Sequence, residues 1–461
     1  MNLFKRSSAE DASLCIAERL GYGIGNTAMQ FMYIGIATFL LYYYTNYVGL
    51  NSGVVGTIIL FSKVFDGLSD LVMGTIIDRT HSKYGKARVW MMRSCVPFAL
   101  ATILLFAVPG NLSMTGKYIF VFVSYNLANT VIYTCVNCAY NTMSCVMTKN
   151  QYERGLLGIF SMIGTVAGQM VVSSVTLYIV AFFGDTAAAW TITFAIYAAI
   201  GLLLHIICIT NLHERVGSDQ EEKKENVPAL KALKALIQNK YWLMFTLVYT
   251  CIMLYSGIYG GSLLYYAQYV LGDANYQGTI SVVGMATQML FLILSFITIK
   301  KYGKGQTFNI GIIICIIGVA GQMLLGDTFL NQVIFAAIKG IGVGLFGAVS
   351  TGICADTVEY GEWKTGVRTE GMAFAAMTFA SKIGNGLGTA IIGWMLTFGG
   401  FDATLETQSA SAILAIRCGY VIVPLLICIV MAVTMHFYDL DKKYDGIVKD
   451  LAEGRHACDN E

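Results

Sequence analysis

The sequence predicts an all-α membrane protein of twelve spanning helices arranged as two six-helix halves. Three observations carry that expectation. The 461 residues are 56% hydrophobic and 13% charged, with a mean hydropathy of +0.63, whereas a soluble domain carries about 25% charged residues. Crossing a bilayer takes about 20 apolar residues. Runs of that kind fall near 22–45, 53–77, 89–109, 117–145, 157–183, 188–210, 241–270, 275–299, 307–325, 331–356, 370–398 and 412–436. One long polar stretch, 211–240, divides them six and six.

The first run follows a polar segment and is too long for the apolar region of a cleavable signal, so it reads as an uncleaved first span. The second, VVGTIILFSKVFDGLSDLVMGTII (54–77), contains Lys63, Asp66 and Asp70. Spacings of three and seven put all three on one helical face. A charge at the centre of a span costs roughly 2.5–3.5 kcal/mol on the lenient insertion scale. Such charges persist when they face a protein interior, pair with one another or hold an ion. Paired acids in this setting suit Na⁺ or H⁺ and predict a transport pathway.

The polar break ends in PALKALKALIQNK, amphipathic at helical spacing and suited to the membrane surface. Expected boundaries are therefore a first half over 1–210, a linker over 211–240, a second half over 241–440 and a tail over 441–461. Lysine and arginine concentrate in alternate loops, with Lys117 and Arg417 as the exceptions elsewhere. The positive-inside rule places those loops, the linker and both termini in the cytoplasm. SKYGK (82–86) and KKYGK (300–304) each follow the second span of their half. That internal repeat predicts duplicated halves, as in the major facilitator architecture.

GYGIGN (21–26) and GNGLGTAIIG (384–393) look like phosphate loops, but no strand precedes them and no GxxxxGK[ST] occurs. Small residues within spans let helix backbones approach closely, and that is their expected role. The chain is not expected to be an enzyme or to carry a resident cofactor. Its net charge of +2 points to no nucleic-acid partner. The twelve cysteines fall mostly in apolar runs as small hydrophobes, and Cys135 and Cys138 form a lone CxxC without a second ligand pair.

Lys339 and Lys382 have two readings each: a long stem snorkelling to an interface, or a charge facing a central cavity opposite the aspartates. Arg154, Asp356, Glu359 and Arg368 lie at cytoplasmic span ends, where they are candidate gate salt bridges. The DRTHSKYGKAR loop (78–88) either fixes topology or joins that gate.

These segments, with LYYYTNYVGL (41–50), KVFDGLSD (63–70), SKYGKAR (82–88), NCAYNTMSCVMTKNQYERGLL (137–157), ADTVEYGEWKTGVRTEG (355–371) and Lys382, resemble the glycoside–pentoside–hexuronide:cation symporters, the group of melibiose and glucuronide permeases. The resemblance implies a monomeric, multi-pass carrier of the inner (plasma) membrane that moves a sugar glycoside with a cation. It implies a cation site of Asp66, Ser69, Asp70 and Thr134, with Lys382 contacting both the acids and the sugar. The substrate-binding set is Gln30, Tyr133, Asn137, Tyr140, Lys339, Thr378 and Lys382. Gln30 and Asn137 stand where melibiose permease has sugar-binding acids, and Met162 where it has an arginine. Three interior lysines, Lys63, Lys339 and Lys382, then outnumber two acids, which favours a glucuronide or other hexuronide. A neutral glycoside or pentoside held by the amides is the alternative. So is an uncoupled uniporter or sensor.

The topology is tested with single cysteines, Asp219→Cys and Ala457→Cys, in a background without other cysteines. A membrane-impermeant thiol label should reach both in inverted vesicles only. Labelling in intact cells would contradict the twelve-span arrangement.

Overall fold

A computed structural model describes residues 13–215, 229–405, 407–453 and 455–456. The remaining stretches, including most of the expected linker and the end of the tail, lie outside the described residues. The helices are α1 (Ile16–Thr38), α2 (Leu40–Asn46), α3 (Ser52–Asp78), α4 (Arg88–Leu105), α5 (Met114–Tyr125), α6 (Thr134–Met147), α7 (Gln151–Phe182), α8 (Ala187–Asn211), α9 (Ala229–Gln238), α10 (Lys240–Tyr269), α11 (Tyr276–Tyr302), α12 (Lys304–Leu324), α13 (Phe329–Thr365), α14 (Glu370–Phe398), α15 (Ala410–Arg417), α16 (Val423–His436) and α17 (Tyr444–Ala452). No strand occurs among the described residues.

Among the described residues, nine spans are long and apolar enough to cross a membrane, or ten if the bent pair α1–α2 counts as one. Length and apolarity alone therefore do not reach twelve. The 27-residue α3 and 29-residue α14 stay outside that count, and these carry Lys63, Asp66, Asp70 and Lys382. The 37 residues of α13 reach about 55 Å at 1.5 Å per residue, well beyond a hydrocarbon core of about 30 Å.

The chain divides into two compact units. The first comprises Met1–Glu221, Ala267–Gly278 and Thr389–Ile413; the second comprises Glu222–Tyr266, Thr279–Gly388 and Leu414–Glu461. Two short stretches from the expected second half thus belong to the first unit. They are tied in by polar contacts: Ser52 Oγ donates to the Gly393 carbonyl at 2.9 Å, Trp394 Nε1 to Thr57 Oγ1 at 2.9 Å, and Tyr269 OH to Asn46 Oδ1 at 2.6 Å.

Glycines set the closest helix contacts. A Cβ on Gly23 would stand 2.8 Å from the Phe160 carbonyl oxygen, and one on Gly388 2.7 Å from that of Leu254. GYGIGN and GNGLGTAIIG are therefore packing faces, α1 on α7 and α14 on α10. No side chain fits there without moving a backbone.

The SKYGK and KKYGK repeats share a glycine at positive φ, although 82–86 is a turn and in 300–304 only Gly303 stands between α11 and α12. Gly85 and Gly303 both adopt positive φ, 98° and 84°, which glycine tolerates. Each turn opens a helix that lacks a local side-chain cap, α4 and α12. An acid from beyond the last long helix of the same unit fills that role. Glu214 accepts the backbone N–H groups of Lys86, Ala87 and Arg88 at 2.7–2.9 Å, and Asp441 accepts that of Gly305 at 2.6 Å. A carboxylate on the exposed N–H groups of a helix start is favoured by the helix dipole.

Removing such a cap costs about 0.5–2 kcal/mol. Glu214→Ala should lower the unfolding temperature of the purified protein, and Asp441→Ala should do so by less, since it frees one donor rather than three. Equal and negligible changes in both would show that these acids do not hold their helices.

Candidate functional site

The intramembrane charges of α3 face a helix with an unusual backbone. Between α5 and α6 the segment Asn126–Tyr133 is π-helical, a local widening that recurs at functional sites. It packs on α3 and brings four polar side chains to one side, Asn126, Asn129, Thr130 and Thr134.

Asp66 lies at the centre, 1% exposed. Its Oδ1 accepts from Thr134 Oγ1 at 3.0 Å, and its Oδ2 accepts from Asn129 Nδ2 at 3.2 Å. Lys63 Nζ is 3.6 Å from the same Oδ2. Lys63 also reaches Asn129 Oδ1 at 3.4 Å and Tyr33 OH at 3.5 Å, with its ammonium 5.6 Å from the Tyr33 ring centre. Tyr33 stacks on Tyr133, ring centres 4.4 Å apart. Ser69 Oγ donates to the Asp66 carbonyl at 2.8 Å and lies 3.2 Å from Thr134 Oγ1.

Asp66, Ser69 and Thr134 therefore come together as one oxygen cluster, with Asn129 added. Asp70 is one turn further along α3, half-buried, and accepts from Cys138 Sγ at 3.8 Å. Carboxylate, hydroxyl and amide oxygens suit hard cations such as Na⁺. No group of three or more His, Cys, Asp or Glu side chains suited to a metal ion occurs among the described residues. Cys135 contacts Met73 Sδ at 3.4 Å, so the two cysteines of the CxxC serve different neighbours.

Within the first unit, Gln30 and Tyr140 join one polar network through Asn26 and Ser161, whose Oγ accepts from Tyr140 OH at 3.2 Å. Gln30, on α1, donates to Asn26 Oδ1 at 3.4 Å and accepts from Gln169 Nε2 at 3.3 Å. Asn26 donates to Ser161 Oγ at 2.7 Å, which completes a row of amides and a hydroxyl between α1 and α7. Asn137 is half-buried and accepts from Asn141 Nδ2 at 3.5 Å, apart from that row. Tyr140 is 1% exposed, stacked on Tyr22 at 4.3 Å and donating to the Tyr22 carbonyl at 2.7 Å. It is a packing residue and offers no free ring face for a sugar. Thr378 is exposed, its hydroxyl bonded back to the Phe374 carbonyl at 3.1 Å, and Lys382 is half-buried.

Lys339 does not snorkel. It is 4% exposed inside the second unit, its Nζ 4.2 Å from the Tyr259 ring centre and 5.0 Å from that of Tyr420. Cation–π contacts contribute about 0.5–2 kcal/mol, against several kcal/mol for burying an ammonium. The count of three free interior lysines therefore fails. Lys63 is shared between Asp66 and Asn129, and Lys339 is enclosed by tyrosines.

The gate candidates find partners within their own units, and of the two arginines only Arg368 pairs with acids. Arg154 donates to the carbonyls of Thr148 and Cys145 at 2.9 and 3.0 Å. Asp356 pairs with Lys304 at 2.7 Å, Glu359 accepts from Tyr444 OH, and Arg368 pairs with Glu362 and Glu370 at 2.7 and 3.3 Å. Local partners satisfy each one.

Sequence reasoning missed Asn129, Tyr33, Asn26, Gln169 and the Tyr259–Tyr420 pair. The amides carried a usable signal, since polar side chains at 126, 129, 130 and 134 stand inside an otherwise apolar run.

A family model described as MFS/sugar transport protein matches residues 21–442. The chain belongs to the MFS sugar transporters. It is 30% identical over 453 residues to the isoprimeverose transporter of Lactiplantibacillus pentosus, covering 96% of this chain and 92% of that one. It is 28% identical over 454 residues to a glucuronide carrier protein homolog of Escherichia coli, covering 94% of each. Among solved structures, a variant of the nucleoside transporter NupG superposes with a TM-score of 0.62 at 16% identity, covering 90% of this chain and 99% of that one. That likeness is one of fold. As an MFS sugar symporter the chain is a multi-pass membrane transporter and not an enzyme.

Thr134→Ala removes a buried bond to a charged oxygen, worth about 1.5–3 kcal/mol. It should visibly lower the unfolding midpoint. Thr378→Ala, at an exposed hydroxyl, should change stability by less than about 0.5 kcal/mol. Matching effects in a denaturation series would contradict the burial assigned to Thr134.

Proposed function

We propose that this transporter couples uptake of a neutral glycoside or pentoside to a cation, Na⁺ or H⁺, taken by Asp66. The observation that carries the coupling is a buried carboxylate surrounded by Thr134, Ser69 and Asn129. A spanning helix bears such an acid at a cost of roughly 2.5–3.5 kcal/mol, which a bound cation offsets. Asp70 is its partner one turn away on α3. The carrier works as a monomer in the inner membrane, by alternating access, with both termini in the cytoplasm.

The neutral sugar rests on the Asn26–Gln30–Gln169 row. Amides both donate and accept, which matches the two-way bonding of sugar hydroxyls. A hexuronide would also need a cation for its carboxylate, because burying that charge unpaired is costly. Lys63 is committed to Asp66 and Lys339 is enclosed. The isoprimeverose transporter among the relatives agrees with an uncharged disaccharide, while the glucuronide carrier homolog is the reason to test the acid directly.

In cells, uptake of a labelled xylosyl glucoside should be concentrative, and excess unlabelled neutral glycoside should compete better than the matching glucuronide. Asp66→Asn should abolish concentration against a gradient. Stronger competition by the glucuronide would replace the neutral substrate with the acidic one. Undiminished accumulation in Asp66→Asn would remove Asp66 from the coupling site.

A further inference from the structure

Lys63 is a buried charged group at the α3 site held by several long contacts rather than by one short bond. Elsewhere in the chain a lysine paired with a buried aspartate closes up: Lys304 Nζ is 2.7 and 2.8 Å from the two oxygens of Asp356. Charge-assisted bonds normally lie near 2.7–2.9 Å. Lys63 Nζ instead stands 3.4 Å from Asn129 Oδ1, 3.5 Å from Tyr33 OH and 3.6 Å from Asp66 Oδ2. It is 4% exposed, so no bulk water serves it in place of these acceptors. Tyr125 is a further hydrogen-bond partner, so the ammonium is shared among a charged acceptor and three neutral ones.

We infer that Lys63 is an internal counter-ion which the transported cation displaces from Asp66 onto Asn129 and Tyr33. This rests on the reading of Asp66 as the cation ligand. With no cation bound, Lys63 compensates the buried carboxylate. A cation arriving at Asp66 takes over that role, and the ammonium, one positive charge beside another, withdraws. Its landing place already exists: an amide oxygen, a phenol oxygen and the Tyr33 ring face. Asn129 keeps its Nδ2 bond to Asp66 throughout, so one carboxamide contacts both ends of the exchange.

The withdrawal also reaches the amide row. Asn26, Gln30 and Tyr33 follow one another on α1 at spacings of four and three, which places them on one face. A lysine that presses harder on Tyr33 when the cation is bound therefore acts on the helix that carries Gln30. Each ligand then raises the other's affinity, as linkage requires.

The test uses the purified full-length protein in detergent and the cation alone as probe. Melting is followed against NaCl, with choline chloride as the control salt, and then across an acidic-to-neutral pH series for protons. Lys63→Gln removes the competitor for Asp66. The variant should be less stable without the cation and should half-saturate at about tenfold lower cation concentration than the parent, within the range of ordinary coupling factors. Lys63→Arg should stay close to the parent. Tyr33→Phe removes an acceptor for the displaced ammonium and should shift half-saturation the opposite way, to higher concentration.

An unchanged half-saturation in Lys63→Gln, with the parent responding to the cation, overturns the inference and leaves the cation site intact. A parent that responds to neither Na⁺ nor protons overturns the cation reading itself, and the inference with it. If Lys63→Gln does not fold, Tyr33→Phe decides: a shift to higher concentration supports the exchange, and no shift overturns it.

Discussion

The site depends on one buried carboxylate. Asp66 is buried on α3, where an unpaired charge is costly, and the groups around it lower that cost. Thr134, Asn129 and Lys63 each approach an oxygen of its side chain, and Ser69 bonds its backbone carbonyl. The backbone of the facing helix yields as well. The π-helical segment 126–133 turns Asn126, Asn129 and Thr130 toward α3, and Thr134 follows at the start of α6.

Stability and site geometry are separated along the chain. Glycines on α1 and α14 let backbones touch, which tightens the packing that carries Gln30 and Tyr33. At the helix starts, Glu214 and Asp441 do the same work in the two units, each closing a turn made possible by a glycine at positive φ. The duplication visible as SKYGK and KKYGK thus extends to an acid far away in sequence, whose part in the repeat shows only in three dimensions.

Much of the Asp66 cluster was legible in the sequence because its logic is energetic. Acids inside an apolar run require an explanation, and helical spacing alone puts Asp66, Ser69 and Asp70 near one another. The sugar residues were less legible. Tyr140 reads as a stacking platform by residue type, but Tyr22 occupies its ring face and its hydroxyl bonds a backbone carbonyl. The lysine count read as an anion site because sequence gives charge without partners, and Lys63 and Lys339 turned out to be committed elsewhere. The gate residues followed the same course: Asp356 found Lys304, and Arg368 found two nearby acids.

Composition and periodicity by themselves determined that this chain is a helical membrane protein with a duplicated plan, glycine-lined helix contacts and an acid pair within a span. Those properties follow from local rules of hydropathy, spacing and backbone freedom. Which groups meet was decided by tertiary structure. Asn129 reaches both Asp66 and Lys63 because a widened helical turn lies against α3, and Lys339 is enclosed because two tyrosines, Tyr259 and Tyr420, far apart in sequence, converge on it. Pairing energies depend on distances of a few ångströms between residues tens or hundreds of positions apart, and no local pattern encodes those distances.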